Sequence, residues 1–291
     1  MPKPICLSPL NFYDDPAKQS HRKSYAHGHI SPLIVATQSL PPFQFVIPDE
    51  LYTDGDTLGS AYFVDINTES IVGDNKVQLL HETGFRIIER EGYKVALYPG
   101  YLPLQIEKEG RYYLKLSSAS GAWTYYSEVF CFTNATSDCI EIEYWNATGD
   151  FKLRDGIIAF PEGFHFKLLL RSEIGKPEYE FEEEATKRGG YNFIEHQISK
   201  KVYKFNAVVP EFICDAMRII RLCDNKIIRC KGEEYDALTF EMQAEWQVQG
   251  DLASVNCEFE TDNVIANLGG FRHEGIGGDF NPDFNSDFDN T

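Results

Sequence analysis

Leu238-Thr-Phe-Glu-Met-Gln-Ala-Glu-Trp-Gln-Val248 alternates without a break. Leu238, Phe240, Met242, Ala244, Trp246 and Val248 share one parity; Thr239, Glu241, Gln243, Glu245 and Gln247 share the other. Successive side chains of a strand point to opposite faces, so the pattern predicts a strand with one dry and one wet side. It is long beside the usual length of about five or six residues. Gly250-Asp251 then turns the chain, and Ala253-Ser-Val-Asn-Cys-Glu-Phe259 alternates again. Together they predict one antiparallel hairpin, with Trp246 buried in a domain core or a subunit interface.

The same period recurs upstream. Cys139-Ile-Glu-Ile-Glu-Tyr-Trp145 places Ile140, Ile142 and Tyr144 inward, Glu141 and Glu143 outward, and Phe164–Leu170 is a further strand. Pro210 opens the one helical pattern: Phe212, Ile213, Ala216, Met217 and Ile220 recur at helical spacing, with Asp215, Arg218 and Arg221 outside. Pro177–Gly190 is dense in glutamate and reads as an exposed loop or short helix. Between 43 and 135, short apolar runs alternate with turn residues such as Gly73-Asp-Asn75 and Glu91-Gly92. Gly110-Arg-Tyr-Tyr-Leu-Lys-Leu116 is similar to the tyrosine-bearing strand of immunoglobulin-like sandwiches, with Trp123–Phe132 as its partner. The expected fold is mainly β: tandem β-sandwich or barrel domains with one short covering helix and extended terminal arms. The expected division is an N-terminal arm (1–42), an immunoglobulin-like sandwich (43–135), a second β-rich domain with its helix near 210–222 (136–268), and a C-terminal docking arm (269–291).

The chain has 291 residues, enough for two domains of ordinary size. Aromatics make up 14% of it, 16 of them Tyr, which suits cores and interfaces. A net charge of −18 disfavours a nucleic-acid surface and an anionic membrane surface. No apolar run is long enough to span a bilayer. Met1–Leu7 lacks the apolar core of a secretion signal, so a cytoplasmic origin is expected. The seven Cys are odd in number and irregular in spacing, which fits reduced, buried thiols.

Several groups carry candidate chemistry. His21, His27 and His29 are metal-ligand types, but without Cys or carboxylate at tight spacing they also read as a mobile polar arm. Cys214, Cys223 and Cys230 are zinc-ligand types lacking CxxC spacing, and also read as small buried residues. Glu178, Glu180, Glu182, Glu183 and Glu184 offer paired carboxylates for hydrolysis, or a solvated charged face. Trp123, Tyr125, Tyr126 and Trp145 could stack on a sugar or fill a core. There is no GxSxG, no phosphate-binding loop and no GxGxxG before a helix.

The C-terminal stretch repeats Asp-Phe every four residues: Asp279-Phe280, Asp283-Phe284 and Asp287-Phe288. Solvated tails are poor in aromatics. The repeat reads either as a frayed acidic end or as a peg on a neighbouring protein, with Phe280, Phe284 and Phe288 in apolar pockets and the Asp residues meeting Lys or Arg at the rim. Asp279, Asp283, Asp287 and Asp289 also supply oxygen ligands for calcium, without the Gly and Glu that an EF-hand loop places.

Tyr125–Phe130 through Ile140–Asn146, Lys201–Phe205 with the Pro210 helix, Trp246 through Gly250–Val255, and the Asp-Phe-Asn tail together resemble structural proteins of tailed bacteriophages and prophages of Bacteroidetes, including the crAss-like group. The likeness covers about residues 120–290. It implies a virion tail component, such as a ring, hub, baseplate or distal-tail subunit, assembled in the host bacterial cytoplasm. It implies no catalytic residues and no cofactor. The partners it implies are further copies of the chain in a closed ring and other tail or neck proteins. A carbohydrate-binding module or adhesin, and a hydrolase using the acidic residues, are the alternatives.

Overall fold

The computed structural model of the chain describes residues 9–19, 33–36, 39–52, 58–72, 77–78, 86–98, 102–103, 106–146, 165–188, 191–246 and 252–267. These are mainly β, with one α-helix, Glu211–Ile220. Contacts group the chain into two compact units: Met1–Lys176 with Tyr203–Thr261, and Pro177–Val202 with Asp262–Thr291.

In the first unit, Gly110–Ser118 is the middle of a seven-stranded sheet. Leu58–Asp65 runs antiparallel along one side of it. Along the other side run Thr124–Ser127 and Phe130–Phe132. The register slips by one residue between these two, so 124–132 is one partner strand broken at Glu128-Val129. At the break, Ser127 Oγ takes the Leu114 N–H at 2.8 Å. This is the partner strand that the tyrosine pattern predicts.

Gly110 and Tyr112 explain each other. The Tyr112 ring folds back along the strand and its hydroxyl donates to the Lys108 carbonyl at 2.7 Å. A Cβ on residue 110 would meet that hydroxyl at 3.1 Å and the ring at 3.3 Å. Tyr112→Phe keeps the ring and removes the bond. Its expected effect is a loss of about 1 kcal/mol in urea unfolding with an unchanged m-value; an unchanged midpoint would contradict the bond's role.

A three-stranded sheet, Phe43–Pro48, Tyr93–Tyr98 and Arg86–Arg90, packs against the seven-stranded one. Phe45 meets Trp123 at 5.5 Å and Tyr125 at 5.2 Å between ring centres, and the Tyr125 hydroxyl donates to Val46 O at 2.7 Å.

The segment before residue 43 is not a solvated arm where it is described. Leu10 and Leu40 are fully buried. Phe12–Tyr13 pairs antiparallel with Tyr126–Ser127, and Leu33–Val35 pairs parallel with Phe130–Phe132. Gln19 Nε2 donates to Ser127 O, and the Tyr13 hydroxyl donates to Glu128. Strands of two or three residues carry no readable period, which hides them in the sequence. His21, His27 and His29 lie outside the described residues.

A four-stranded sheet has the order Phe166–Arg171, Cys139–Trp145, Asn225–Cys230, Glu233–Asp236. The last two strands are joined by Lys231-Gly232, both at positive φ (52° and 87°), as a two-residue primed turn requires. A second four-stranded sheet has the order Glu178–Arg188, Tyr191–Pro210, Leu252–Asn267, Glu241–Trp246. Within the first unit, Tyr203, Phe205, Val255, Cys257 and Phe259 of this sheet are buried. The helix buries Phe212, Ile213, Cys214, Ala216, Met217, Ile219 and Ile220. One core cluster of this unit extends from Leu10 to Phe259, drawing on both the 43–135 and the 136–268 segments.

The hairpin expected from 238–259 forms, with Met242 opposite Cys257, Ala244 opposite Val255 and Trp246 opposite Ala253. Its first strand begins at Glu241, three residues later than the pattern, and is described to Trp246. Trp246 is not in a core of this chain: it is 50% exposed. Glu241–Trp246 is the last strand of its sheet, and Met242 and Ala244 are only half covered. Alternation fixes which face a residue joins, not whether anything covers that face.

The second unit also departs from expectation. Pro177–Gly190 is neither loop nor helix over its described part. Glu178–Arg188 is a strand, antiparallel to Tyr191–Val202, with Tyr179 opposite Lys201 and Phe181 opposite Ser199. Cross-strand partners relieve the glutamate run: Lys200 Nζ reaches Glu182 at 2.6 Å and Gln197 Nε2 reaches Glu183 at 2.9 Å.

Candidate functional site

The predicted interface residues Asp279, Phe280, Asp283, Phe284, Asp287 and Phe288 lie outside the described residues, as does Asp289. Three other places in the structure have the composition of a site.

The first is a cleft of about 220 Å³ in the first unit. Leu33 and Ile34 come from the short parallel strand, Leu169 from the edge strand Phe166–Arg171, Val208 from Tyr191–Pro210, and Ile213 from the helix. Exposed Arg171 and Asn206 form its polar rim. Val208 is 53% exposed although its neighbours Ala207 and Val209 are buried. Alternation explains this: Ala207 and Val209 face the core, and Val208 faces the cleft.

The second is the hairpin of the second unit. Tyr179 and Phe181 share one face of Glu178–Arg188 and are 63% and 64% exposed. Val264 and Ile265, in the second unit's part of Leu252–Asn267, are 66% and 59% exposed. Large apolar side chains that share one exposed strand face, as Tyr179 and Phe181 do, mark contact sites more often than scattered single ones do.

The third is the outer face of the four-stranded sheet. Arg229 Nη1 donates to Glu141 at 2.8 Å and to Glu143 at 2.7 Å, while its Nε donates to Glu234 at 2.7 Å. His165 Nδ1 lies 3.0 Å from Glu143, and its ring stacks on Trp145 at 4.2 Å. Burial pushes Glu143 up, but the Arg229 and His165 hydrogen bonds outweigh it and hold its carboxyl below the usual value. A lowered carboxyl pKa contributes stability above the unfolded value, about 4.3, that is lost as pH falls through the folded one. Glu143→Gln is therefore expected to flatten the loss of stability between about pH 5 and 3. Urea melts across that range check it, and an unchanged slope would contradict it. This network holds its own charges in pairs, the arrangement of a cross-strand brace.

The remaining candidates are placed as follows. Cys214, Cys223, Cys230 and Cys257 are buried. Desolvation pushes Cys214 up to about 11 and Cys223 and Cys257 up to about 12, so they are protonated thiols at neutral pH. No group of three or more His, Cys, Asp or Glu is placed to hold a metal ion among the described residues. Glu178, Glu180 and Glu182–Glu184 are exposed along one strand. Trp123 and Tyr125 are core residues, 6% and 8% exposed. Tyr126 is half-buried beside Tyr113. Among the described residues no helix is long and apolar enough to cross a membrane.

Sequence reasoning missed the cleft and the buried Lys226. The cleft joins residues from four separate segments, and no local pattern signals that. Lys226 sits at an inward position of Asn225–Cys230 and donates from Nζ to the Cys223 carbonyl. Burial lowers its pKa.

Scans against protein-family models, curated proteins and solved structures each find no match.

Proposed function

We propose that this chain is a structural subunit of a phage virion tail that assembles with copies of itself into a ring and docks neighbouring tail or neck proteins. The observation that carries the reading is the hairpin of the second unit. It offers Tyr179 and Phe181, each more than 60% exposed, on a strand at the end of its sheet. An end strand leaves a row of backbone donors and acceptors open to another chain. The row of glutamates on the same strand discourages unspecific stacking of such edges and leaves the contact to a matched partner. The tail-protein resemblance over about 120–290 gives the assembly its class. The acidic charge suits a subunit that meets protein rather than nucleic acid or anionic lipid.

Electron microscopy and native mass spectrometry of the purified chain test the reading. Closed rings of one defined copy number are expected. A monomer at all accessible concentrations, with tail proteins absent or present, would overturn it.

A further inference from the structure

We propose that the cleft between Leu33-Ile34, Leu169, Val208 and Ile213 receives a Phe of the C-terminal Asp-Phe repeat from a second copy of the chain, with the adjoining Asp meeting Arg171. The inference rests on the ring reading above and names the contact that closes the ring.

Size, charge and reach carry it. Apolar cavities of about 150 Å³ take up a benzene ring, and this cleft measures about 220 Å³. Its walls are aliphatic, as a phenyl ring requires, and half-exposed Val208 leaves one wall open to entry. Arg171 stands exposed at the rim, and none of the ion pairs seen among the described residues involves it. Each Phe of the repeat is preceded by an Asp: Asp279-Phe280, Asp283-Phe284, Asp287-Phe288. A phenyl ring in the cleft thus brings a carboxylate within one residue of the guanidinium, the pairing for which arginine's fork is suited. Phe284 lies seventeen positions beyond Asn267, the end of strand Leu252–Asn267. Extended, that stretch spans up to roughly 55–60 Å, enough to reach a neighbouring subunit. One tail and one cleft per copy make a head-to-tail contact that repeats until the ring closes.

Two full-length variants test it by complementation. The first carries Phe280→Ala, Phe284→Ala and Phe288→Ala and keeps the cleft. The second carries Arg171→Glu and Val208→Asp and keeps the tail. Both cleft positions are exposed, so its melting temperature is expected to stay near that of the wild type; should it melt early, Arg171→Glu alone replaces it. Native mass spectrometry is expected to show each variant alone at least tenfold weaker in assembly than the wild type, and their equimolar mixture forming a 1:1 complex. Normal rings from the cleft variant, or a mixture without complex, overturn the inference and leave the ring reading standing. A wild-type chain that stays monomeric overturns both.

Discussion

Phe259→Ala is expected to lower the unfolding free energy by about 3–5 kcal/mol, the range for removing a buried aromatic. Phe259 is fully buried on the strand Leu252–Asn267. Its ring stacks on Tyr203 at 5.5 Å, meets the edge of Tyr235 at 5.9 Å and lies 6.4 Å from Phe205. Truncation would empty a site walled by three rings held on two strands of different sheets, Tyr191–Pro210 and Glu233–Asp236. Those strands are tied by backbone pairing, so the cavity cannot collapse freely. A domain total is of order 5–15 kcal/mol, so the variant is expected to sit near the edge of folding at 37 °C. Urea melts with near-ultraviolet circular dichroism check it. A loss under about 1 kcal/mol would mean that the site relaxes or that the ring cluster contributes little.

Tyr179→Ser with Phe181→Ser is expected to do the opposite: leave folding unchanged and break assembly. Both side chains are more than 60% exposed, so the melting temperature has little to lose. Burying one Phe fully is worth about 1.5–3 kcal/mol, and each 1.4 kcal/mol is about tenfold in affinity. Two such anchors, less the ordering of their side chains, imply roughly a hundredfold weaker contact per interface. Serine keeps the charge of the strand, so the effect reports apolar burial alone. Sedimentation velocity across a concentration series reads it. Rings of normal stability from the double variant would remove the hairpin from the interface.

The mainly β fold was legible because period-two alternation is local. The Gly110–Ser118 strand, the Pro210 helix and each arm of the 238–259 hairpin could be read within a dozen residues. What failed was whatever depends on distant partners. Trp246 has the right parity for a core, yet its strand is the last in its sheet. Glu178–Arg188 resembled a charged loop because the residues that pair with its glutamates, Lys200 by charge and Gln197 by a hydrogen bond, come from the returning strand. The outward placement of Glu141 and Glu143 was readable, but their partner Arg229 lies 88 and 86 residues away. The cleft was unreadable for the same reason: its walls meet only after folding.

Among the described residues five cysteines, Cys139, Cys214, Cys223, Cys230 and Cys257, are covered in the folded chain, while Cys131 is partly open. They therefore act as clocks. An alkylating reagent reaches Cys131 without any opening, but reaches Cys214 only when the helix lifts and Cys257 only when its strand comes away. With intrinsic thiol reactivity allowed for, the order in which these sulfurs acquire label gives the order in which parts of the fold come undone. The chain thus carries a built-in record of which parts loosen first when it is strained.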